Sequence, residues 1–238
     1  MNDKIKYKVL LWDIDGTILN FKAAEKEAIR MGFRNYHLGE CTDEMIARYS
    51  VINDRYWREM ELGRTTKEAL LIDRFMEFFE KEGIRITRDT VVSFNDDYQL
   101  DLGETIVFND GADALLRDLK GKVLQYAVTN GNKVTQEKKF ARSGLLKILD
   151  GAFISEEVGA EKPRPEFFEA VFRALPEFKK EDYLVIGDSL TADMFGANNA
   201  HLACCWYNPK ERAGMEELRI DYEIRSLREI PGIIGEGN

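Results

Sequence analysis

Cysteine is scarce, with three residues among 238: Cys41 stands alone, and Cys204 and Cys205 are adjacent. Neighbouring cysteines rarely bridge each other and no Cys-x-x-Cys spacing occurs, which argues against a disulfide framework or a zinc ribbon. The thiols read as buried groups of a reducing compartment. No apolar run approaches the roughly 20 residues of a membrane span, and residues 1–7 lack the long apolar segment of a secretory signal. The expected location is the cytoplasm, with no membrane partner. Basic tracts are missing too: 34 Lys and Arg against 43 Asp and Glu leave a net charge of −9. Without a basic face, nucleic acid is not expected as a partner. A small anion can still be held by one local cation, a bound metal or backbone amides. No internal repeat or low-complexity tract is present, and the tail from Gly235 to Asn238 is expected to fray.

What remains is an ordinary globular composition, 44% hydrophobic, in a chain long enough for one large or two smaller domains. Short apolar runs recur at 8–12, 123–129, 152–155, 183–187 and 202–207. Their length and continuity predict strands buried on both faces of a parallel sheet. Helical patterns lie between them. Ala112, Leu115, Leu116 and Leu119 share one face, as do Phe167, Phe168, Val171, Phe172 and Leu175. Strand alternating with helix predicts an α/β fold, a Rossmann-like parallel sheet flanked by helices. From about residue 20 to 103 the alternation stops and helical stripes follow one another, for example Leu70, Leu71, Arg74, Phe75, Phe78 and Phe79, then Val91, Val92, Phe94, Asn95, Tyr98 and Leu102. An insertion of this size after the first strand is expected to sit over the carboxyl ends of the sheet, where open α/β folds bind ligands. The expected division is therefore a catalytic core of residues 1–19 and 104–238 with an all-helical cap of residues 20–103.

Four short motifs follow predicted strands. Asp13-Ile14-Asp15-Gly16-Thr17 comes after Val9-Leu10-Leu11-Trp12 and puts two carboxylates, one residue apart, at a strand mouth. One carboxylate there can act as nucleophile or metal ligand while the other moves a proton. An Asp-Gly turn is the plain alternative. Thr129-Asn130-Gly131 offers a hydroxyl and amides to a phosphoryl oxygen, or is simply an Asn-Gly turn. Lys162-Pro163 lies in a stiff loop running into a helix, where a lysine can neutralise charge or merely face solvent. Gly187-Asp188-Ser189-Leu190-Thr191-Ala192-Asp193 supplies oxygen ligands for a hard cation, or caps a helix. The order of all four is what discriminates.

In that order the motifs resemble those of the haloacid dehalogenase superfamily, and the resemblance covers the whole chain. It implies a phosphatase acting through an aspartyl phosphate. Asp13 is then the nucleophile. Asp15 protonates the leaving oxygen and later activates water. Asp13, the main-chain carbonyl of Asp15 and Asp188 hold Mg2+, with Asp193 outside them, orienting a water or Lys162. Thr129 and the amide of Asn130 bind the phosphate, and Lys162 offsets charge on Asp13 and the transferring group. An aspartate at position 15 favours phosphate chemistry over dehalogenation. The absence of lysine from 45–64 weakens a phosphonate-cleaving alternative.

Asn53-Asp54-Arg55-Tyr56-Trp57, Glu61-Leu62-Gly63-Arg64-Thr65-Thr66, Arg74-Phe75 and Ala203-Cys204-Cys205-Trp206-Tyr207-Asn208 are similar to the pyrimidine 5'-nucleotidase branch. That implies a small phosphate ester, a nucleoside 5'-monophosphate, as substrate. A sugar phosphomutase, a sugar-phosphate or phosphoglycolate-type phosphatase and a non-catalytic phosphate-binding module are the other readings. Tyr56, Trp57 and Phe75 are expected to pack among helices, and Trp206 to pack at a sheet edge. The chain departs from the common pattern at Asp110-Gly111, where Pro-Gly is frequent, and at His201, expected to be a surface or packing residue without a catalytic role.

Overall fold

The computed structural model describes residues 5–109 and 111–235. Asp110 and residues 236–238 of the tail lie outside the described residues. β1 (Val9–Trp12) is fully buried and pairs in parallel on both sides, with β2 (Leu124–Thr129) and β4 (Tyr183–Gly187). Its unbroken apolar sequence suits a strand with no solvent face. β3 (Gly151–Ile154) pairs with β2, and β5 (Ala203–Tyr207) with β4. The sixth strand, β6 (Tyr222–Ile224), pairs with β5, and the full order is β3-β2-β1-β4-β5-β6. Strand order reverses between β1 and β4, so the loops leaving those two strands diverge and open a crevice at the carboxyl edge.

Helices α5 (Ala112–Leu119), α8 (Pro165–Ala174) and α9 (Phe195–Ala200) belong to this α/β unit, as do the short α7 (Ser155–Val158) and α10 (Ile230–Ile234). Phe167, Phe168 and Val171 of α8 pack with Val9, Leu11, Tyr183 and Val185 of the sheet in one apolar core. Pro165 opens α8, where its missing N–H is harmless. Trp206 departs from the expected edge packing. β6 covers the outer side of β5, so Trp206 is an interior residue, 1% exposed.

The second unit is helical and comprises Phe21–Ile106 with Val134–Arg142. It contains α1 (Phe21–Asn35), α2 (Asp43–Glu61), α3 (Lys67–Lys81) and α4 (Arg88–Asp101), and no strand occurs among its described residues. Thr42, Thr66 and Thr87 cap α2, α3 and α4 by accepting from the amides of Met45, Ala69 and Thr90. Phe33, Tyr49, Phe75, Phe78, Phe79 and Phe94 fill its centre. Phe75 stacks on Tyr49 at 5.0 Å, and Tyr56 packs at the edge of the same cluster.

Arg74, on the predicted apolar stripe, is buried among these rings. It donates to Asn53 Oδ1 (2.6 Å) and Asn95 Oδ1 (3.1 Å), and Asn53 passes the interaction to Glu25 at 2.8 Å. A buried guanidinium needs such partners. Most of α6 (Lys133–Ser143) groups with the helical unit, where Thr135 donates to the carbonyl oxygen of Gln99 at 2.8 Å. The chain segments joining the two units run side by side: Asn20 donates to Val107 and Asn109 to Ile18 through main-chain bonds of 2.8 and 2.9 Å.

Candidate active site

Asp13 is the first residue beyond β1, and its amide still donates to Ile186 of β4 at 2.9 Å. That main-chain bond fixes the carboxylate at the crevice. Gly16, three residues on, adopts φ +105°, and a Cβ there would lie 2.5 Å from Asp188 Oδ1. Glycine is required twice over, by the turn and by the approach of the loop after β1 to the loop after β4. Asn109 secures that turn, its side-chain amide donating to the carbonyls of Gly16 (3.0 Å) and Thr17 (2.8 Å).

Lys162 lies at the centre, 1% exposed. Its Nζ donates to Asp13 Oδ1 (3.0 Å), Asp193 Oδ1 (2.6 Å) and the carbonyl of Val128 (2.7 Å), which uses all three ammonium protons. Its main chain is held as firmly. Lys162 N donates to Asn130 Oδ1 (2.8 Å) while Asn130 Nδ2 donates to Lys162 O (2.7 Å), and the following peptide to Pro163 is cis. The Asn130 side chain thus positions Lys162, a role its place in an Asn-Gly turn did not announce. Thr129, the buried last residue of β2, accepts from the amide of Gly131 at 3.0 Å.

After β4 the chain forms a π-helical turn, Leu190–Met194, before α9. This turn carries Asp193 back against the strand end, so close that a Cβ on Gly187 would lie 2.2 Å from its carboxylate. Asp193 Oδ2 accepts from the amide of Ser189 at 3.0 Å, so both of its oxygens are engaged.

The structure thus brings four of the candidate residues into one cluster. Asp13, Asp188 and Asp193 each present a carboxylate oxygen within 4.8 Å of the others, with Lys162 between two of them. Asp15 is half-buried in the turn and its carboxylate is outside that group. Burial pushes the Asp13 carboxyl well above the usual range; Lys162 works against this, and Asp193 and Asp188 add to it. Burial also pulls on Lys162, but Asp13 and Asp193 outweigh it and hold the ammonium above the ordinary lysine range. Asp13 Oδ2 is buried and accepts no hydrogen bond. Leaving a buried carboxylate oxygen unpartnered costs free energy. The carboxylates of Asp13, one of whose oxygens accepts no hydrogen bond, and of Asp188 are hard donors within reach of each other and fit a hard divalent cation such as Mg2+.

Among the residues not anticipated, Trp206 Nε1 and Arg212 Nη2 both donate to the main-chain carbonyl of Asp188, at 3.1 and 2.6 Å. His201 is exposed, ends α9 in the left-handed conformation at φ 58°, and stands apart from the cluster. No helix among the described residues is long and apolar enough to cross a membrane.

Residues 7–201 match the haloacid dehalogenase-like hydrolases. The Bacillus subtilis protein YfnB is 37% identical over 98% of this chain and 97% of its own. Pyrimidine 5'-nucleotidase PynA of Streptococcus pneumoniae is 32% identical over 94% of this chain and 93% of its own. The crystal structure of YfnB bound to magnesium superposes with a TM-score of 0.90, at 38% identity, covering 96% of this chain and 99% of that one. With nearly its whole length matched, the chain belongs to the haloacid dehalogenase-like hydrolases.

Proposed function

We propose that this hydrolase is a Mg2+-dependent phosphatase of small phosphate monoesters, with nucleoside 5'-monophosphates as its substrate class. The observation that carries the reading is the buried Lys162, locked between Asp13 and Asp193 while Asp13 Oδ2 accepts nothing. A carboxylate held this way has one oxygen neutralised and one available. In the proposed reaction an Asp13 oxygen bonds to phosphorus as the ester P–O bond breaks, and the proton of Asp15 goes to the departing alkoxide. Asp15, now a carboxylate, takes a proton from water. The water oxygen bonds to phosphorus as the Asp13 O–P bond breaks, releasing phosphate and restoring both aspartates.

Asp13, the carbonyl of Asp15 and Asp188 would hold the cation, whose charge offsets the repulsion between a carboxylate and a phosphate dianion. Asp193 orients Lys162, and Lys162 stabilises charge on Asp13 and on the transferring group. Thr129 and the amide of Asn130 bind phosphate oxygens. The nucleotide class is supported by the similarity to PynA, a pyrimidine 5'-nucleotidase, over nearly the whole chain, and the choice of Mg2+ by the magnesium-bound YfnB structure.

Purified protein should release phosphate from pyrimidine nucleoside 5'-monophosphates with Mg2+ and not with excess chelator, and faster than from sugar phosphates. Asp13→Asn should abolish release. Turnover by that variant, free of contaminating phosphatase, would sink Asp13 as nucleophile, and a preference for sugar phosphates would sink the substrate class.

A further inference from the structure

The loop following β5 reaches back to the cluster. Arg212 Nη2 donates to the Asp188 carbonyl at 2.6 Å and lies 3.6 Å from Asp188 Oδ2, too far for a hydrogen bond. It therefore grips the main chain of Asp188 and places positive charge beside the carboxylate without donating to it. The guanidinium also stands over the ring of Trp206, 5.8 Å from its centroid, and Trp206 donates to the same carbonyl.

Arg212 is held from behind by Asn208, which is fully buried. Asn208 Nδ2 donates to the carbonyl of Arg212 and Asn208 Oδ1 accepts from its amide, both at 2.9 Å. The second proton of Asn208 Nδ2 goes to Glu223 Oε1 at 2.7 Å, so the bracket is tied to β6. Asn198 holds the main chain of Arg219 by the same reciprocal pair of bonds, and what sets Arg212 apart is where its guanidinium ends, on the carbonyl of a cluster aspartate.

We infer that Arg212 is a positioning residue that prepares Asp188 for the divalent cation. It fixes the main chain from which the carboxylate projects, so that Asp188 is already placed when the cation enters. This rests on the proposed metal site. Residues that orient metal ligands in this way are worth about 10-fold to 100-fold in metal affinity.

The test is calorimetric titration of the metal-free protein with MgCl2 alone. Arg212→Gln should bind Mg2+ about 10-fold more weakly than wild type, and Arg212→Lys should recover most of the loss. Turnover of Arg212→Gln should need correspondingly more Mg2+ and then return to the wild-type rate at saturation, because Arg212 touches no reacting atom. Affinity that is unchanged or tighter in Arg212→Gln overturns the inference, as does turnover that stays depressed at saturating Mg2+. Wild-type protein that takes up no Mg2+ sinks the metal site itself, an outcome distinct from both.

Discussion

Lys162 spends its three protons on two buried carboxylates and a strand-end carbonyl, and no solvent reaches it to soften a loss. Lys162→Met keeps much of the volume but leaves Asp13 and Asp193 facing each other without a counter-charge. Breaking a buried pair by removing one partner costs about 3–5 kcal/mol, so thermal melting should show a large loss of stability, and phosphate release should fall at least about 100-fold. Lys162→Arg should not rescue activity, because a planar fork cannot reproduce three tetrahedral donors in a site closed by Asn130. A variant with wild-type melting and turnover would show that Lys162 carries neither load.

Among the elements, β4 shows how strand and charge cooperate. Asp182, the residue before it, accepts from Lys179 N at 2.9 Å and pairs with Lys8 at 2.7 Å, and the amide of Lys8 donates to the Asp182 carbonyl. The hydrogen bond from Lys8 holds the Asp182 carboxyl below the usual aspartate range. A carboxyl depressed by folding contributes stability above its unfolded pKa and loses it as pH falls through the folded one. Asp182→Asn should therefore melt below wild type at pH 7, and the two curves should converge as pH falls below about 3.9. A gap that stays constant with pH would mean that the carboxylate charge at Asp182 is irrelevant.

Strands were legible in the sequence where an apolar run was continuous. The five continuous apolar runs became β1 to β5: β1 and β4 are buried throughout and β5 nearly so, whereas β2 leaves Leu124 and Tyr126 partly exposed and the edge strand β3 buries only Ile154. β6 was not legible: it has three residues, Tyr222 and Glu223 face outward to varying degree, and only Ile224 is buried. The π-helical turn that returns Asp193 to Lys162 has no periodicity to reveal it.

Across the whole molecule, the residues that converge from distant parts of the chain explain what sequence could and could not disclose. Asp13, Lys162, Asp188 and Asp193 could be singled out because parallel strands deliver the segments that follow them to one edge. Asn130, Asn109 and Arg212 act through bonds to main-chain atoms 32, 93 and 24 residues away, and nothing local marks an asparagine or arginine for that task. Binding of the proposed divalent cation would have a thermodynamic consequence in the α/β unit that carries the cluster. A ligand at about 100 times its Kd stabilises the fold that binds it by about 2.7 kcal/mol. For a unit of this size that corresponds to a rise in Tm of about 5–10 °C. The candidate site lies in the α/β unit, which holds Trp12 and Trp206, whereas Trp57 belongs to the helical unit. In a Trp57→Phe background, tryptophan fluorescence follows the α/β unit alone. Its melting transition should rise with Mg2+, fall back with chelator, and be insensitive to Mg2+ when Asp13→Asn is added. If melting of the α/β unit is the same with and without Mg2+, the cation does not occupy the Asp13, Asp188 and Asp193 cluster.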